Sequence, residues 1–206
     1  MNAMNFQDID FYGQANAETN THTYHYNQSG NNTLMTVTQW TEAIGTALSA
    51  IGSTPISFLS SDTLANLDII GDVIQIGSTA IQIDAETKVT FNSIGNIVQV
   101  IGNTEELGGQ VIFYNDQTEQ NLFVTQGNAI QVAGVALSLI FFLNQKHKLI
   151  NLYNINANFL QLIGLGMQTL STSPILSSDQ STTLNAVGAW IQTIGAVLAA
   201  IAQSLD

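Results

Sequence analysis

Apolar residues recur along this chain in short segments of one form, in which a polar residue stands between two small ones. Six segments align on this residue, which is glutamine in five of them and Ser49 in the first. They are GTALSAIG (45–52), GDVIQIG (71–77), GNIVQVIG (95–102), GNAIQVAG (127–134), ANFLQLIG (157–164) and GAWIQTIG (188–195). Their starts lie 24 to 32 residues apart, which is the length of one helix and a turn. The pattern predicts a stacked or bundled helical array.

Polar linkers between the segments indicate where the helices begin and end. Asp116 with Glu119, and Ser177 with Gln180, have the spacing of a capping box. We therefore predict an all-α fold, an antiparallel bundle of about six helices built from a degenerate repeat. A break is expected in the third helix at Gly108–Gly109. The predicted helices cover residues 38–53, 61–83, 86–113, 117–145, 147–171 and 178–204.

The small residues and the glutamine of each segment fall on one face of a helix. At about 100° per residue, positions 0, +4 and +7 lie near 0°, 40° and −20°. Glycine lets a neighbouring backbone approach closely, and the glutamine between the glycines can hydrogen-bond to that neighbour, even to its own counterpart there. The alternative is a polar lumen lined by the glutamines. The predicted helix-packing stripe comprises Gly45, Gly52, Gly71, Gln75, Gly77, Gly95, Gln99, Gly102, Gly127, Gln131, Gly134, Gln161, Gly164, Gly188, Gln192 and Gly195.

Residues 1–36 differ from the rest because they are rich in Asn, Thr, Gln and Tyr and poor in aliphatic residues. We interpret them as an arm that stays extended or disordered until it docks on a partner, with residues 37–206 as the helical domain. Within the arm, THTYHY alternates polar and aromatic residues. The arm residues expected to make contacts are His22, Tyr24, His25 and Tyr26.

Composition narrows the classes of partner. Hydrophobic residues make up 45% of the chain and charged residues 9%, with 3 Lys+Arg against 15 Asp+Glu and a formal net charge of -12. So few cations cannot neutralise a run of phosphates, which argues against nucleic-acid binding. An anionic membrane surface would also repel the chain. The first ten residues lack the basic and apolar regions of a secretory signal.

No cluster of residues suggests chemistry. The chain has no cysteine, and the two histidines of the arm are too few ligands for a metal site. Acidic pairs such as Glu105 with Glu106 are attributed to capping at helix ends. We therefore predict no catalytic, cofactor-binding or metal-binding residues, no cofactor, and a protein that is not an enzyme.

The segments WTEAIGTALSAIGSTP, SIGNIVQVIGNT and WIQTIGAVLAAI resemble a group of uncharacterised repetitive proteins of spore-forming bacilli. Those proteins carry recurring Trp-x-x-Ile-Gly and Gly-Asn-x-Ile-Gln units, and the resemblance covers roughly residues 38–204. No activity or functional residue is assigned to that group. The resemblance implies a bacillus-like source and makes a spore or cell-surface location the expectation.

Two functions remain open at this stage, and the sequence favours the first of them. The first is a structural subunit that self-assembles into a homo-oligomer, layer or fibre through its arm, because a body with so little charge presents apolar patches that need covering. The second is a pore-forming or membrane-active protein with insertable apolar hairpins. Small residues in apolar helices, joined by amides, are also typical of transmembrane helices. Lys146 and Lys148 follow one such apolar stretch, as an orientation signal would.

Overall fold

The computed structural model describes residues 28–146 and 148–205, with side chains described from Asn32 onward except within that gap. All the regular secondary structure in these residues is helical, which confirms the predicted fold class. The predicted arm contacts at residues 22–26 lie outside the described part of the chain. The helices are α1 (Gln28–Gly52), α2 (Ser61–Ala85), α3 (Phe91–Ile112), α4 (Gln117–Leu143), α5 (Leu149–Ser171) and α6 (Ser178–Ser204).

Three details of the helix boundaries differ from the prediction. Helix α3 begins at Phe91 and not at residue 86, because Thr90 caps it. Helix α1 begins at Gln28, so residues 28–36 are helical although they were assigned to the arm. The predicted break at Gly108–Gly109 is wrong, because α3 continues to Ile112. Gly109 is held against the next helix, and a Cβ built on it would lie 2.5 Å from the Cβ of Phe123. This packing offsets the low helix propensity of the glycine pair.

Side-chain caps fix where most of the helices begin. Ser177 and Gln180 form the predicted capping box at the start of α6, and Thr90 forms a second one with Ser93 at the start of α3. Asp116 caps α4 by accepting hydrogen bonds from the backbone N–H groups of Thr118 and Glu119. Each of these caps satisfies N–H groups that a helix leaves without a partner at its first turn.

The six helices form a closed ring. Each helix packs against the two that adjoin it in the chain, and α6 packs against α1 to complete the circuit. Among the described helices, no Cα atom lies within 8 Å of a helix that is not its neighbour in this order. Short connections join successive helices, which are therefore antiparallel neighbours. The glycine contacts group them into three hairpins, α1–α2, α3–α4 and α5–α6.

Glycine lies where the two helices of each hairpin touch. A Cβ on Gly102 would lie 2.5 Å from the carbonyl oxygen of Gly127, and one on Gly95 would lie 2.6 Å from that of Gly134. Real Cβ atoms do not approach other atoms so closely, so backbone contacts backbone at these points. The corresponding contacts of the other hairpins are Gly45 with Gly71, Gly164 with Gly188, and Ala157 with Gly195.

These contacts show that the structural repeat is the hairpin. Gly45, Gly102 and Gly164 hold the same place in the first helix of each hairpin, facing Gly71, Gly127 and Gly188 in the second. In this register Ser49 is equivalent to Glu106 and Gln168. The alignment of Ser49 with Gln99 and Gln161 is therefore wrong by seven residues, or two helical turns, because a heptad shift preserves the helix face.

Gly77 does not belong to the packing stripe, contrary to the prediction. Nothing lies within 4 Å of the position that its Cβ would occupy. The second segment is one residue short, so Gly77 follows Gly71 by six residues and is rotated roughly 100° away from the stripe. Ser78, which is buried, takes the place that Gly134 and Gly195 hold in the other hairpins.

Two alanine substitutions in α3 test the close contact. Gly102→Ala should lower the free energy of unfolding by about 1–3 kcal/mol, because the added methyl group meets backbone atoms of α4. Gly108→Ala is the matched control, since nothing lies within 4 Å of its Cβ position. It should raise the free energy of unfolding by up to about 1 kcal/mol through helix propensity alone. Chemical denaturation followed by circular dichroism measures both, and equal stabilisation by the two substitutions would contradict the packing.

Candidate functional site

Polar side chains occupy most of the buried positions of the ring. Among the described residues, twenty polar or charged residues are buried against eleven hydrophobic ones, and eight of those eleven are alanine. Of the described large hydrophobic side chains, only Val135, Leu139 and Leu165 are buried. The others are half-buried or exposed, and the exposed ones include Val73, Ile101, Ile163 and Ile194, each 46–53% exposed. A water-soluble bundle has the opposite distribution. The polar interior is therefore the feature of this fold that calls for a functional explanation.

The glutamines of the predicted stripe face this interior or its edge. Gln75, Gln131 and Gln161 are buried, whereas Gln99 and Gln192 are half-buried. Gln131 donates to Glu106 Oε2 at 2.8 Å. Gln192 accepts from Gln168 Nε2 at 2.7 Å.

The partners of Gln131 and Gln192 are Glu106 and Gln168. The six-segment alignment instead makes Gln99 and Gln161 their counterparts, and each of these lies seven residues earlier in the chain. Gln75 donates to Ser49 Oγ at 3.1 Å, so all three hairpins use one register for this bond. The residues paired across each hairpin therefore follow from the hairpin repeat and not from the six-segment alignment.

A chain of hydrogen bonds joins α1 to α2 near the end where α2 finishes. Gln39 Nε2 donates to Gln82 Oε1 at 2.7 Å, and Gln82 Nε2 donates to Glu42 Oε2 at 2.8 Å. Gln82 is only 1% exposed, so both ends of its amide are satisfied by protein. Removing the Gln82 amide would therefore leave both Gln39 and Glu42 without their hydrogen-bond partner.

Three carboxyl groups lie at a different level of the same interior. Asp68 and Asp72 are one turn apart on α2, and a single amide nitrogen, Gln110 Nε2 of α3, donates to Asp68 Oδ2 at 3.3 Å and to Asp72 Oδ2 at 3.1 Å. Ser49 Oγ donates to Asp72 Oδ1 at 3.0 Å. Glu106 lies one turn before Gln110 on the same helix. Neutral donors from three helices thus converge on this acidic cluster, which comprises Asp68, Asp72 and Glu106.

Several buried polar atoms have no hydrogen-bond partner among the described residues. They are Gln110 Oε1 on α3, both amide atoms of Asn128 and the Ser138 hydroxyl oxygen on α4. Asn128 is 1% exposed and holds in the second hairpin the place of Asp72 in the first. A buried polar group without a hydrogen-bond partner costs about 1–3 kcal/mol of stability. All of these atoms lie on α3 and α4, so this side of the interior contains unsatisfied hydrogen-bonding groups.

Two tryptophans lie at opposite ends of the α1–α6 contact. Trp40 donates its indole N–H to Ser204 Oγ, and Trp190 donates to Thr54 Oγ1, both at 3.0 Å. Between them, Thr193 donates to the carbonyl oxygen of Thr46 at 3.0 Å. The fourteen residues from Trp190 to Ser204 correspond to about 21 Å of helix. The two tryptophans are 40% and 42% exposed, and each lies near the middle of its own helix.

The acidic cluster was missed by the sequence reasoning. Glu105 and Glu106 were attributed to capping at a helix end, but α3 runs six residues past Glu106 and has no acidic residue in its first turn. The signal lay in the spacing, because Glu106 follows Gln99 by seven residues and so shares its helix face. Asp72 is among the buried residues of α2, and Asp68 is half-buried one turn before it, where a carboxylate is unexpected.

The chain matches a family of unknown function, DUF6944, over residues 33–200. It belongs to this family. The match extends from the early turns of α1 to the late turns of α6, so DUF6944 corresponds to nearly the whole ring. No curated protein and no solved structure matches the chain. In this DUF6944 chain, α2, α4 and α6 are each long and apolar enough to cross a membrane, judged by length and composition.

The hydrogen-bond chain between α1 and α2 gives a stability prediction. Gln82→Ala should lower the free energy of unfolding by about 2–3 kcal/mol, because Gln39 and Glu42 both lose their partner inside the protein. Gln126→Ala on the exposed side of α4 is the control, with an expected change within about 0.5 kcal/mol. Denaturant titration measures both variants. The assignment is wrong if the two variants are equally stable.

Proposed function

We propose that this protein is membrane-active and that its ring of helices resides in a lipid bilayer, with the apolar outer side chains against the acyl chains. The observation that carries the proposal is the reversed distribution of polarity, in which large aliphatic side chains face outward and amides and carboxyls face inward. Burying a side chain such as Ile or Leu is worth about 1.5–3 kcal/mol. If the ring were surrounded by water, the exposed aliphatic side chains would not contribute this free energy. In a bilayer, each of them is removed from water and contributes it.

The way the helices contact one another suits a bilayer. Helices in lipid associate through small residues that let the backbones approach, and through amide hydrogen bonds between them. The hairpins of this chain use both, for example at Gly95 and Gly134 and between Gln168 and Gln192. Helices of 22 to 27 residues are about 33–40 Å long and exceed the hydrocarbon core of about 30 Å.

The basic residues are also arranged as in a membrane protein. The three basic residues, Lys88, Lys146 and Lys148, lie in the connections α2–α3 and α4–α5 at one end of the ring. The connections at the other end contain no Lys or Arg. Under the positive-inside rule, the lysine end faces the cytoplasm.

A self-assembling structural subunit is the second candidate. The exposed apolar side chains that favour the bilayer would also be covered if copies of the chain packed side by side. The bilayer is favoured because a subunit with a polar interior gains little from folding in water before it assembles. Size measurements on the purified protein distinguish the two, since assembly in water requires large particles without lipid.

A lysine substitution on the outer face separates the candidates further. Ile194 lies in the middle of α6 and is 53% exposed. Ile194→Lys should cost about 2.5–3.5 kcal/mol for insertion into lipid and reduce the fraction that floats with neutral phosphatidylcholine vesicles in a density gradient. The control is Ile175→Lys in the α5–α6 connection, 87% exposed, which should float like the unmodified protein.

The same density gradient can also contradict the bilayer proposal. If the unmodified chain stays at the bottom with the vesicles at the top, the bilayer proposal is wrong. Release of a dye trapped in the vesicles, measured in parallel, distinguishes an open pore from a closed ring in the membrane.

A further inference from the structure

We propose that Asp68, Asp72 and Glu106, with Gln110 between helices α2 and α3, form a proton-binding site in the interior of the ring, which holds at least one exchangeable proton at neutral pH. The site lies between helices, where Asp72 and Gln110 are buried by other side chains of the chain itself. The inference therefore does not depend on whether lipid or further copies of the chain cover the outside, and it can fail independently of the proposed function.

The first argument is the balance of charge. Helices α1 to α6 contain no Lys, Arg or His, so no cation on any of them faces the acidic cluster. The other acidic groups on the adjoining helices are Glu42 on α1, which is bonded to Gln82, Asp62 and Asp84 near the ends of α2, Glu105 on α3 and Glu119 in the first turn of α4. Asp72 is buried, Asp68 and Glu106 are half-buried, and no counter-ion on these helices offsets their charge. Carboxylates withdrawn from water in this way are unfavourable and are neutralised by binding protons.

The second argument is the geometry around Asp72. Asp68 and Asp72 are four residues apart on one helix, where two like charges repel. Gln110 Nε2 donates to both of them, and a neutral amide does not offset the charge. A proton on one carboxyl relieves the repulsion and leaves both hydrogen bonds from Gln110 in place. This proton comes from solvent hydronium, which becomes water as the carboxyl O–H bond forms.

The third argument is the amide oxygen of Gln110, which has no hydrogen-bond partner among the described residues. Gln110 is 7% exposed, its amide nitrogen contacts the acidic cluster, and its Oε1 is buried with no donor. Every hydrogen-bonding group of the three acidic side chains is an acceptor when they are ionised. The cluster therefore has more acceptors than donors, and the O–H group of a protonated carboxyl is the donor that it lacks.

A metal cation is the competing ligand. Within the described part of the chain, no three side chains among His, Cys, Asp and Glu are placed to hold a metal ion. The neutral amide of Gln110 directs its nitrogen, not its oxygen, at Asp68 and Asp72, which suits carboxyl groups and does not suit a bound cation. A proton is therefore the ligand that the contacts favour, and the test includes sodium as the alternative.

Infrared spectroscopy of the full chain at neutral pH tests the site directly. The triple variant Asp68→Asn/Asp72→Asn/Glu106→Gln keeps the size of each side chain and removes every carboxyl of the cluster. The spectrum of the unmodified protein minus that of the variant should contain the C=O band of a protonated carboxylic acid. This band should shift when H2O is replaced by D2O, because the proton exchanges.

A second triple variant serves as the matched control. Asp62→Asn/Asp116→Asn/Asp179→Asn changes three exposed carboxyls at helix starts, and its difference spectrum should contain ionised carboxylate bands only. Circular dichroism establishes that both variants keep their helical content. A variant of the acidic cluster that loses its helices is replaced by Asp72→Asn alone, which retains the shape of a protonated aspartic acid.

Two results would overturn the proposal. If the cluster's difference spectrum contains only ionised carboxylate bands at neutral pH, the site does not hold a proton. If the protonated band disappears on adding sodium chloride at constant pH, a metal cation is the ligand of this site. An unchanged protonated band in sodium chloride supports the proton.

Discussion

Backbone contact between the two helices of each hairpin is the interaction on which the rest of this structure depends. Where Gly102 meets Gly127 and Gly164 meets Gly188, the helices are separated by no side chain. Helices at this distance bring the flanking glutamines and carboxyls within hydrogen-bonding reach of the opposite helix, as Gln131 and Glu106 illustrate. Small residues and amides thus hold the hairpins together, and the large aliphatic side chains are left to face outward.

The helices were accessible from sequence because they depend on local signals. Capping residues such as Ser177 and the spacing of the apolar segments placed the start of α6 at Ser178 and the start of α4 at Gln117. The beginning of α1 was not accessible, because residues 28–36 lack the aliphatic residues on which the periodicity argument relies. Intrinsic helix propensity is a small term that packing overrides, as the continuous α3 shows at Gly108–Gly109.

The ring and its interior depend on contacts between distant residues. The sequence allows Ser49 to be equivalent either to Gln99 or to Glu106. These two registers differ by seven residues and so place the same residues on the same helix face, and sequence alone could not choose between them. Only the observed contact of Gly45 with Gly71 selects the second. The sequence also did not determine whether the polar face of each helix points into the ring or out of it. These helices are apolar on several sides, so their pattern does not specify which side contacts the neighbouring helices.

The polar interior and the apolar exterior together explain the composition. The low charge, the scarcity of lysine and the abundance of Asn, Gln, Ser and Thr are unusual for a domain whose surface meets water. They are expected of helices that place neutral amides inside and aliphatic groups outside, as in the bilayer-resident ring that we propose. Buried ionisable groups in such a setting are expensive and tend to be functional, so the acidic cluster of Asp68, Asp72 and Glu106 is where activity is to be sought.

The most direct test uses the two native tryptophans, since both lie on the α1–α6 contact and are partly exposed on the outside of the ring. Their fluorescence should be measured in vesicles of phosphatidylcholine with brominated acyl chains, and separately with iodide in the aqueous phase. The account predicts strong quenching by the brominated lipid and little by iodide. Quenching by iodide with no effect of the brominated lipid would place the outer face of the ring in water and contradict the account.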